Sequence, residues 1–509
     1  MPPRRRQLLA APLLVGPGRP GVDHIVIGAG SAGCVVARRL AEAGRRVLLL
    51  EAGGPSSLPA IANPPAWPGL QGSAVDWRYV TTPQAGLDGR VIACPRGKVL
   101  GGSGAINAMA FQRGDPAGYA AWPPGWRAPD LLPYFRRAEA FSGGASPLRG
   151  GAGPLAVLSL ADVADRTPLA AAFLEACTER GFPRSADLGG AAPTGAGWNQ
   201  LSIRAGRRED AATAYLRPPL PPGLTLRLGA QVRGLLIEGG QCVGVRLAEG
   251  EVRAEAEVVL AAGAIDSPRL LMLSGIGPGA ALRALGIPVA QDLPGVGQNL
   301  IDHLLVPGVA YAARQPVPPS AYNHCDALLV APAPGGPRLL VLCLSLPFVA
   351  PEFGPLPTPA YTLVPAAIAP ASRGEVRLAS ADPLAPAVID PGYLTAPADL
   401  DTLIDGLELA RALGETAALA PWRAAELRPG PAVTSRAALG AFIRRAANSF
   451  HHPVGTCAMG TVVDPALRVQ GIAGLRVVDA SVMPGIPRSF IHAATIAVAE
   501  KAADLVLGA

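Results

Sequence analysis

The sequence predicts a two-domain protein whose first domain has a parallel α/β fold. Two observations lead to this fold class. The chain has 509 residues, which exceeds what one hydrophobic core usually organises. Residues 22–53 follow the order strand, glycine-rich turn, helix, strand, as in a parallel βαβ unit. Residues 310–445 carry a different pattern of short strand-like runs separated by prolines, so a second domain is expected there.

Composition narrows the classes of protein that the chain can be. Half of the residues are apolar and 16% are charged, which gives ample material for a core. The net charge is +6, but the arginines are scattered and no basic stripe with interleaved aromatics occurs, which argues against a nucleic-acid partner. The seven cysteines are odd in number and form no C-x-x-C pair. This favours a reduced, cytoplasmic setting.

The first 20 residues are expected to be a disordered leader. Residues 5–9 loosely match a twin-arginine export signal, so export is the alternative. The apolar run that follows is short, is interrupted by Pro12 and leads to no small-residue cleavage site. The longest other apolar run, residues 339–350, is far shorter than the roughly 20 residues that span a bilayer. No membrane span is therefore expected.

A dinucleotide-binding unit is indicated by "VDHIVIGAGSAGCVVARRLAEAGRRVLLLEAG" at residues 22–53. The run before the first glycine is mostly β-branched, as in a buried parallel strand. Gly28 allows a tight turn, and Gly30 lets the backbone approach a pyrophosphate. Gly33 lets the following helix pack closely on the strand. Because strand, turn and helix occur in this order, the pattern predicts a Rossmann-like site.

Glu51 is the residue expected to bind a ribose of the dinucleotide. The helix is expected to end at Gly44, and Glu51 ends the next strand, where a carboxylate can accept hydrogen bonds from a ribose. That acid suits NAD and the ADP half of FAD equally. A second glycine-rich segment at 96–107 and a strand–turn–helix pattern at 256–278 favour FAD. An extended FAD needs several separate chain segments to cover it.

Several long motifs resemble those of the glucose–methanol–choline (GMC) oxidoreductase family. They are "RGKVLGGSGAINAMAFQRGDPAGYAAW" (96–122), "GAIDSPRLLMLSGIGP" (263–278), "DLPGVGQNLIDH" (292–303), "SRGEVRLASADPLAPAVIDPGYL" (372–394), "HPVGTCAMG" (452–460) and the segment that follows. The resemblance implies a Rossmann-like FAD-binding domain and an α+β substrate domain built on an antiparallel sheet covered by helices. It assigns residues 21–155, 206–309 and 446–509 to the first domain, and 156–205 and 310–445 to the second.

The resemblance also implies which residues bind FAD and how. The expected cofactor-binding residues are Gly28, Gly30, Ser31, Ala32, Gly33, Glu51, Ala52, Trp77, Val99, Gly102, Ser103, Asn107, Ala108, Met109, Ala110, Val232, Ala262, Gly263, Asp479, Ala480, Ala493 and Thr495. Some family members attach FAD covalently through a histidine in the first signature. Ile106 stands at that position here. Non-covalent FAD is therefore expected.

Two adjacent histidines, His451 and His452, precede Cys457 by a few residues. A metal site is the first alternative, but adjacent side chains of an extended segment point to opposite faces, and no second ligand cluster accompanies them. No metal is expected. A structural pair of buried histidines is the second alternative. A role in proton transfer is the third.

The resemblance favours proton transfer, with catalytic roles for His452 and His492. It places His452 beside the flavin as the base for the substrate hydroxyl, His451 as its support, and His492 as its partner. An imidazole with an ordinary pKa near about 6.5 is a suitable proton acceptor at neutral pH. Asn107 is expected to bond the substrate oxygen or the flavin, and a turn-stabilising role is the alternative.

The predicted function is oxidation of a neutral primary alcohol, aliphatic or aromatic, to the aldehyde, with hydride transfer to flavin N5. Oxygen or a quinone is the expected electron acceptor. Choline is disfavoured because aromatic residues make up only 5% of the chain. Arg488 or Asp326 would favour a polar substrate if either lined the pocket. Relatives that use the scaffold as a lyase, as a light-driven decarboxylase or for flavin binding alone are the alternatives.

Overall fold

The computed structural model describes residues 21–191 and 193–508. Two large sheets organise this part of the chain, one mainly parallel and one antiparallel. This arrangement confirms the predicted fold class of an α/β domain joined to an α+β domain. The predictions made for residues 1–20, a leader or an export signal, lie outside the described residues. Among the described residues, no helix has the length and apolar character that crossing a bilayer requires.

The parallel sheet forms because its strands are short apolar runs that are buried on both faces. Val47–Leu50 is fully buried, and Val22–Ile27 is buried over its last four residues. The five parallel strands lie in the spatial order Leu224–Arg227, Val47–Leu50, Val22–Ile27, Gly250–Leu260 and Leu475–Val477. The first part of Gly250–Leu260 extends beyond this layer and pairs antiparallel with Gln241–Leu247, which in turn pairs with Gly234–Glu238.

Three helices pack together on this sheet around one buried carboxylate. Ser31–Glu42 ends at the position predicted from Gly44, whose φ is 79°. It packs against His492–Leu507, which also contacts Ala128–Ala138. Glu500 is fully buried where the helices meet, and it accepts hydrogen bonds from Arg39, Arg137 and Tyr215. These bonds compensate the cost of burying its charge.

The antiparallel sheet belongs to the second domain. Its strands are Arg423–Arg428, Val309–Ala313, Ala360–Ala367, Leu339–Leu344, Ala327–Ala331 and Gly195–Trp198 in spatial order, with the short strands Leu304–Leu305 and Asn448–Ser449 paired beside Ala360–Ala367. Helices Pro397–Gly414 and Pro168–Glu179 pack on it. The first of these helices matches the amphipathic pattern at residues 399–415. Because Leu304–Leu305 and Asn448–Ser449 join this sheet from segments assigned to the first domain, the domain boundaries stay a prediction.

Smaller elements complete the described chain. The remaining helices are Pro59–Ala62, Ala211–Tyr215, Gly263–Leu273, Gly279–Ala284 and Arg436–Ala446. The remaining strands are Tyr79–Val80, Ala93–Cys94, Glu139–Phe141, Leu155–Ser159, Gln200–Leu201, Ile203–Arg204, Arg207–Arg208, Ile276–Gly277, Gln291–Asp292, Glu375–Arg377 and Val388–Asp390. A cavity lies between the two large sheets and is lined by residues of both.

Candidate active site

Two glycine-rich segments, distant in sequence, meet at the carboxyl end of the first strand. The backbone N–H of Gly101 donates to the carbonyl of Ala29 at 2.9 Å. A Cβ atom on Gly102 would lie 2.7 Å from the Cα of Gly30, and one on Gly33 would lie 1.8 Å from the carbonyl oxygen of Gly28. Only glycine permits these approaches. The backbone therefore forms a closely packed turn with space for a ligand beside it.

Glu51 follows the strand Val47–Leu50 and holds this turn in place. One carboxyl oxygen accepts from the backbone N–H of Ala29 at 2.9 Å, and the other from Gly53 at 2.7 Å. Burial raises the pKa of the Glu51 carboxyl to about 7, while these two hydrogen bonds oppose the shift. The predicted ribose-binding acid therefore lies at the expected end of the strand.

A cavity of about 570 Å³ extends from the glycine turn to the antiparallel sheet. Most of the predicted cofactor-binding residues line it: Gly28, Gly30, Ser31, Ala32, Glu51, Ala52, Trp77, Gly102, Ser103, Asn107, Ala108, Ala110, Val232, Ala262, Gly263, Asp479, Ala480 and Thr495. Four others, Gly33, Val99, Met109 and Ala493, lie buried behind its wall. The fold thus brings predicted residues from several separate segments of the chain together around one cavity.

Asp479 joins the late strand of the parallel sheet to the helix Gly263–Leu273. Its carboxylate accepts hydrogen bonds from the backbone N–H groups of Gly263 and Ser481, both at 2.8 Å, and from the hydroxyl of Ser267. Burial raises the pKa of the Asp479 carboxyl, and these hydrogen bonds oppose that rise. The carboxylate thereby fixes two segments of the cavity wall relative to each other.

His452 lines the cavity and is held by its backbone and by its ring. Its backbone N–H donates to the carboxylate of Asp302 at 2.7 Å, and that carboxylate also accepts from the hydroxyls of Ser449 and Tyr393. Nδ1 of His452 lies 3.0 Å from Nδ1 of His303. Burial, followed by neighbouring charges, lowers the pKa of His452 well below its ordinary value. The imidazole is therefore neutral at physiological pH.

His303 and Asp302 were missed by the sequence reasoning as site residues. Both belong to the "NLIDH" end of a motif that was recognised, but nothing in the motif indicates which distant residue they contact. The contact with His452 joins positions 149 residues apart in the chain. An Asp-His pair directly ahead of the strand Leu304–Leu305 was the available signal.

His451 shows that one premise of the sequence analysis was wrong. The segment is not extended at this point, because His451 has a φ of 64°. With the chain turned in this way, the side chains of His451 and His452 line the same cavity rather than opposite faces. The carbonyl of His451 accepts from Arg96 at 2.7 Å, and burial lowers the pKa of His451 to about 3. Among the described residues, no group of three or more potential metal ligands occurs.

His492 begins the helix His492–Leu507 and lines the cavity. Its ring makes an edge contact with Phe111 at a centroid distance of 5.6 Å. Both ring nitrogens are buried, and neither has a hydrogen-bond partner among the described residues. Burial lowers the pKa of His492 to about 4, and the charge of Arg208 adds to this effect. A buried, neutral and unpartnered imidazole calls for a polar ligand in the cavity.

Asn107 lines the cavity, but its side-chain oxygen is already occupied. It accepts from the backbone N–H of Met109 at 2.9 Å and from the guanidinium of Arg208 at 2.8 Å. The first bond agrees with the turn-stabilising alternative. Arg208 itself is buried, and burial lowers its pKa to about 10. Arg208 was also missed by the sequence reasoning, since a lone arginine carries no pattern that identifies its partner.

The far end of the cavity is apolar and aromatic. It is lined by Trp67, Leu305, Leu342, Leu344, Phe348, Val364, Phe450 and Phe490. The ring of His452 lies 4.5 Å from Phe450 and 5.8 Å from Phe490, centroid to centroid. Neither of the two charged residues that would have favoured a polar substrate lines the cavity. The buried carboxylate of Asp326 accepts hydrogen bonds from the hydroxyl of Ser320 and from the backbone N–H of Thr167. Arg488 donates a hydrogen bond to the carbonyl of Gly335.

The residues that line the cavity fit FAD on structural grounds. The close approach of Gly30 to Gly102 leaves bare backbone where a pyrophosphate would lie. Glu51 stands at the ribose end, and the unpartnered Nε2 of His492 lies close to the second glycine-rich segment, 3.6 Å from where a Cβ on Gly104 would be. The fold and the cavity together define an oxidoreductase that binds an extended dinucleotide.

Comparisons with known proteins agree with this class. The GMC oxidoreductase family model matches residues 22–305 with its N-terminal part and 370–499 with its C-terminal part. Pyridoxine 4-oxidase of Microbacterium luteolum is 40% identical over 499 residues, which cover 94% of this chain and 98% of that protein. Mitochondrial choline dehydrogenase of Homo sapiens is 38% identical, with coverage of 99% and 93%.

A solved structure is similar over nearly the whole chain. The crystal structure of pyridoxine 4-oxidase from Mesorbium loti has a TM-score of 0.91 and 40% sequence identity, and the match covers 95% of this chain and 98% of that one. The chain therefore belongs to the GMC oxidoreductase family, and it is an FAD-dependent alcohol oxidoreductase.

Proposed function

We propose that the protein oxidises a neutral primary alcohol to the aldehyde, with His452 as the general base and His492 as the partner that binds the alcohol oxygen. The observation that carries this proposal is the shared cavity. Two neutral histidines from separate segments line the same cavity as the dinucleotide cradle, and one of them, His452, lies among the apolar rings. The arrangement supports binding an alcohol between a proton acceptor and a hydride acceptor.

The proposed roles follow from the state of each imidazole. His452 is neutral, and Nδ1 is engaged with His303, so Nε2 is the nitrogen that can accept the hydroxyl proton. His492 is neutral and unpartnered, so its N–H can donate to the alcohol oxygen as negative charge develops there. FAD supplies the hydride acceptor when bound. Proton and hydride then leave the substrate towards different groups.

The proposed substrate carries an uncharged, planar or aliphatic group beside its primary alcohol. Three carboxylates line the cavity, and each already has partners: Glu51, Asp266 and Asp479. None is available to pair with a quaternary ammonium, although the aromatic rings Phe450 and Phe490 could contact one. An aromatic primary alcohol satisfies these rings without a counter-ion. Pyridoxine 4-oxidase and choline dehydrogenase are related to this chain at 40% and 38% identity, so the choice over choline rests on the cavity.

FAD is proposed to bind without a covalent bond. Ile106, which stands where some relatives carry the attachment histidine, lines the cavity and offers no nucleophile. Oxygen or a quinone is the proposed acceptor of the electrons, as in the sequence analysis. No observation on this structure favours a lyase or a decarboxylase over alcohol oxidation.

The test is anaerobic mixing of the purified flavoprotein with a panel of benzyl, furfuryl, linear, sugar and choline-type alcohols. We expect the visible flavin absorbance to bleach, with the highest kcat/KM for the neutral aromatic or aliphatic primary alcohols. Reoxidation with oxygen and with an artificial quinone identifies the acceptor. Preference for choline or a sugar would contradict the proposed substrate class. A flavin that no alcohol bleaches would contradict the function itself.

A further inference from the structure

The pair His303 and His452 shares one hydrogen bond through like atoms. The two Nδ1 atoms are 3.0 Å apart, and the ring planes cross at 85°. His303 is fully buried and does not line the cavity, whereas His452 does. The structure therefore joins a cavity histidine to a second histidine behind the wall.

The backbone holds both rings at this distance. His303 directly precedes the strand Leu304–Leu305, which pairs with Asn448–Ser449, and the N–H of Phe450 donates to the carbonyl of His303 at 2.8 Å. The carboxylate of Asp302 anchors the backbone N–H of His452 at 2.7 Å. Backbone contacts of both residues thus hold the pair together.

Only one proton can lie between the two Nδ1 atoms. Burial lowers the pKa of His303 to about 3 and that of His452 well below its ordinary value, so both rings are neutral. A neutral imidazole carries a hydrogen on one nitrogen and accepts at the other. If His303 supplies the bridging proton, His452 carries its own at Nε2 and cannot accept another there. If His452 supplies it, Nε2 of His452 is bare.

The proposed function selects one of the two arrangements. A base for the hydroxyl proton needs a bare nitrogen in the cavity, and Nδ1 of His452 already faces His303 behind the wall. Nε2 of His452 is then the bare nitrogen, so the bridging proton belongs to His452 and Nδ1 of His303 accepts it.

We propose that His303 is a positioning residue that sets the tautomer of His452. By accepting the Nδ1 proton of His452, it leaves Nε2 of that ring unprotonated and directed to the cavity. The inference rests on the proposed function, in which His452 accepts the substrate proton. In the other tautomer, His452 would occupy the same place but would carry a hydrogen on Nε2, and so it could not accept the substrate proton there.

The direct test is the protonation pattern of the six histidines in the resting flavoprotein. Two-bond ¹H–¹⁵N correlation spectra of protein labelled with ¹⁵N-histidine distinguish an Nδ1–H ring from an Nε2–H ring, and His452→Ala assigns the signal. We expect His452 as Nδ1–H and His303 as Nε2–H. The reverse pattern would overturn the inference at once, whatever the variants do.

Two substitutions test the consequence for catalysis. His303→Leu fills the space but removes the acceptor, while His303→Asn places an amide oxygen near the former Nδ1. We expect His303→Leu to lower the rate of flavin reduction by about 10- to 100-fold, as for other residues that orient a reacting side chain, with little change in KM. His303→Asn should restore most of the rate. In the leucine variant, His452 should become a mixture of tautomers.

His24→Asn is the matched control, because it removes another buried imidazole from the parallel sheet, away from the cavity. It should leave the rate of flavin reduction unchanged. If His303→Leu reacts at the wild-type rate while His452→Ala is slow, the positioning role fails and the proposed function stands. If His452→Ala is itself as fast as wild type, the proposed function fails. Should His303→Leu not fold, His303→Asn and the wild-type spectrum decide.

Discussion

The chemistry of a single residue, His452, depends on its surroundings more than on its type. An exposed histidine exchanges its proton with water near neutral pH. His452 instead lies among Phe450, Phe490 and His303, and burial keeps it neutral. A neutral imidazole has a nitrogen free to accept a proton, and the negative charge that develops on the alcohol oxygen beside it offsets the cost of charging a buried ring.

His452→Ala and His451→Ala form a pair that tests this view. The first removes the proposed base, so turnover with an alcohol should fall by about 10²–10⁴, the range for a positioned general base. FAD content should stay near normal. The second should cost much less, because the main bond of His451 to Arg96 uses its backbone carbonyl. Equal, mild effects in steady-state assays would move the base to His492.

At the residue scale, the sequence predicts a site residue only where that residue occupies a position in a recognisable motif. His452 and His492 are recognisable, since each occupies a position in a family motif. Their partners are not, because the contact between His303 and His452 depends on how strands distant in sequence come together. The positive φ of His451 is equally hidden, since side-chain alternation assumes an extended chain.

Among the elements, the two glycine-rich segments form the proposed phosphate site only when they are in contact with each other. The turn at residues 28–33 lies at the end of a parallel strand, where backbone N–H groups are free for a phosphate. The segment at 96–107 covers it, and the two touch where Gly102 meets Gly30. A side chain added at Gly102 would push the two segments apart, because backbone atoms lie on both sides of the contact and no flexible side chain can move to make room.

Gly102→Ala tests the contact between the segments. The added Cβ would lie 2.7 Å from the Cα of Gly30, and Gly102 has a φ of 55°, so the substitution is strained twice. We expect a loss of about 1–3 kcal/mol in stability and a lower FAD content. Gly54→Ala is the control, since its Cβ meets nothing within 4 Å. Thermal unfolding and the ratio of flavin to protein absorbance report both effects, and a fully loaded Gly102→Ala protein of normal stability would contradict them.

Long periodic elements were predictable, and short ones were not. The helix Ser31–Glu42 and the helix Pro397–Gly414 follow from apolar spacing and from Gly44. The strand Leu304–Leu305 has two residues, too few for any periodicity, and its existence depends on its neighbours Asn448–Ser449 and Ala360–Ala367. These short strands support the histidines. The secondary structure nearest the proposed catalytic histidines is therefore the hardest to predict from sequence patterns.

The whole molecule encloses the cavity between two sheets of different construction. Because the cavity wall comes from both domains and from many segments, retention of FAD depends on the folded chain as a whole. A flavin bound without a covalent bond, as proposed, would be released when the chain unfolds. That property separates non-covalent from covalent attachment in a simple experiment.

Acid precipitation of the purified protein is that experiment. With Ile106 at the attachment position, we expect the yellow flavin to remain in the supernatant. Absorbance of the supernatant and of the redissolved pellet gives the distribution. Colour that stays with the pellet after washing would mean that another side chain forms a covalent bond to the flavin.

The order of strands in the parallel sheet has a consequence for how the protein is made. Val22–Ile27 lies in the middle of the sheet, and its neighbour Gly250–Leu260 pairs on its other side with Leu475–Val477, which is synthesised much later. Until then, the Val258–Leu260 edge is unpaired and prone to join other chains. Contacts of such long sequence separation also form slowly. Because the sheet behind the cavity is completed only when this late strand joins it, we expect expression at low temperature with ample riboflavin to favour a soluble, loaded product.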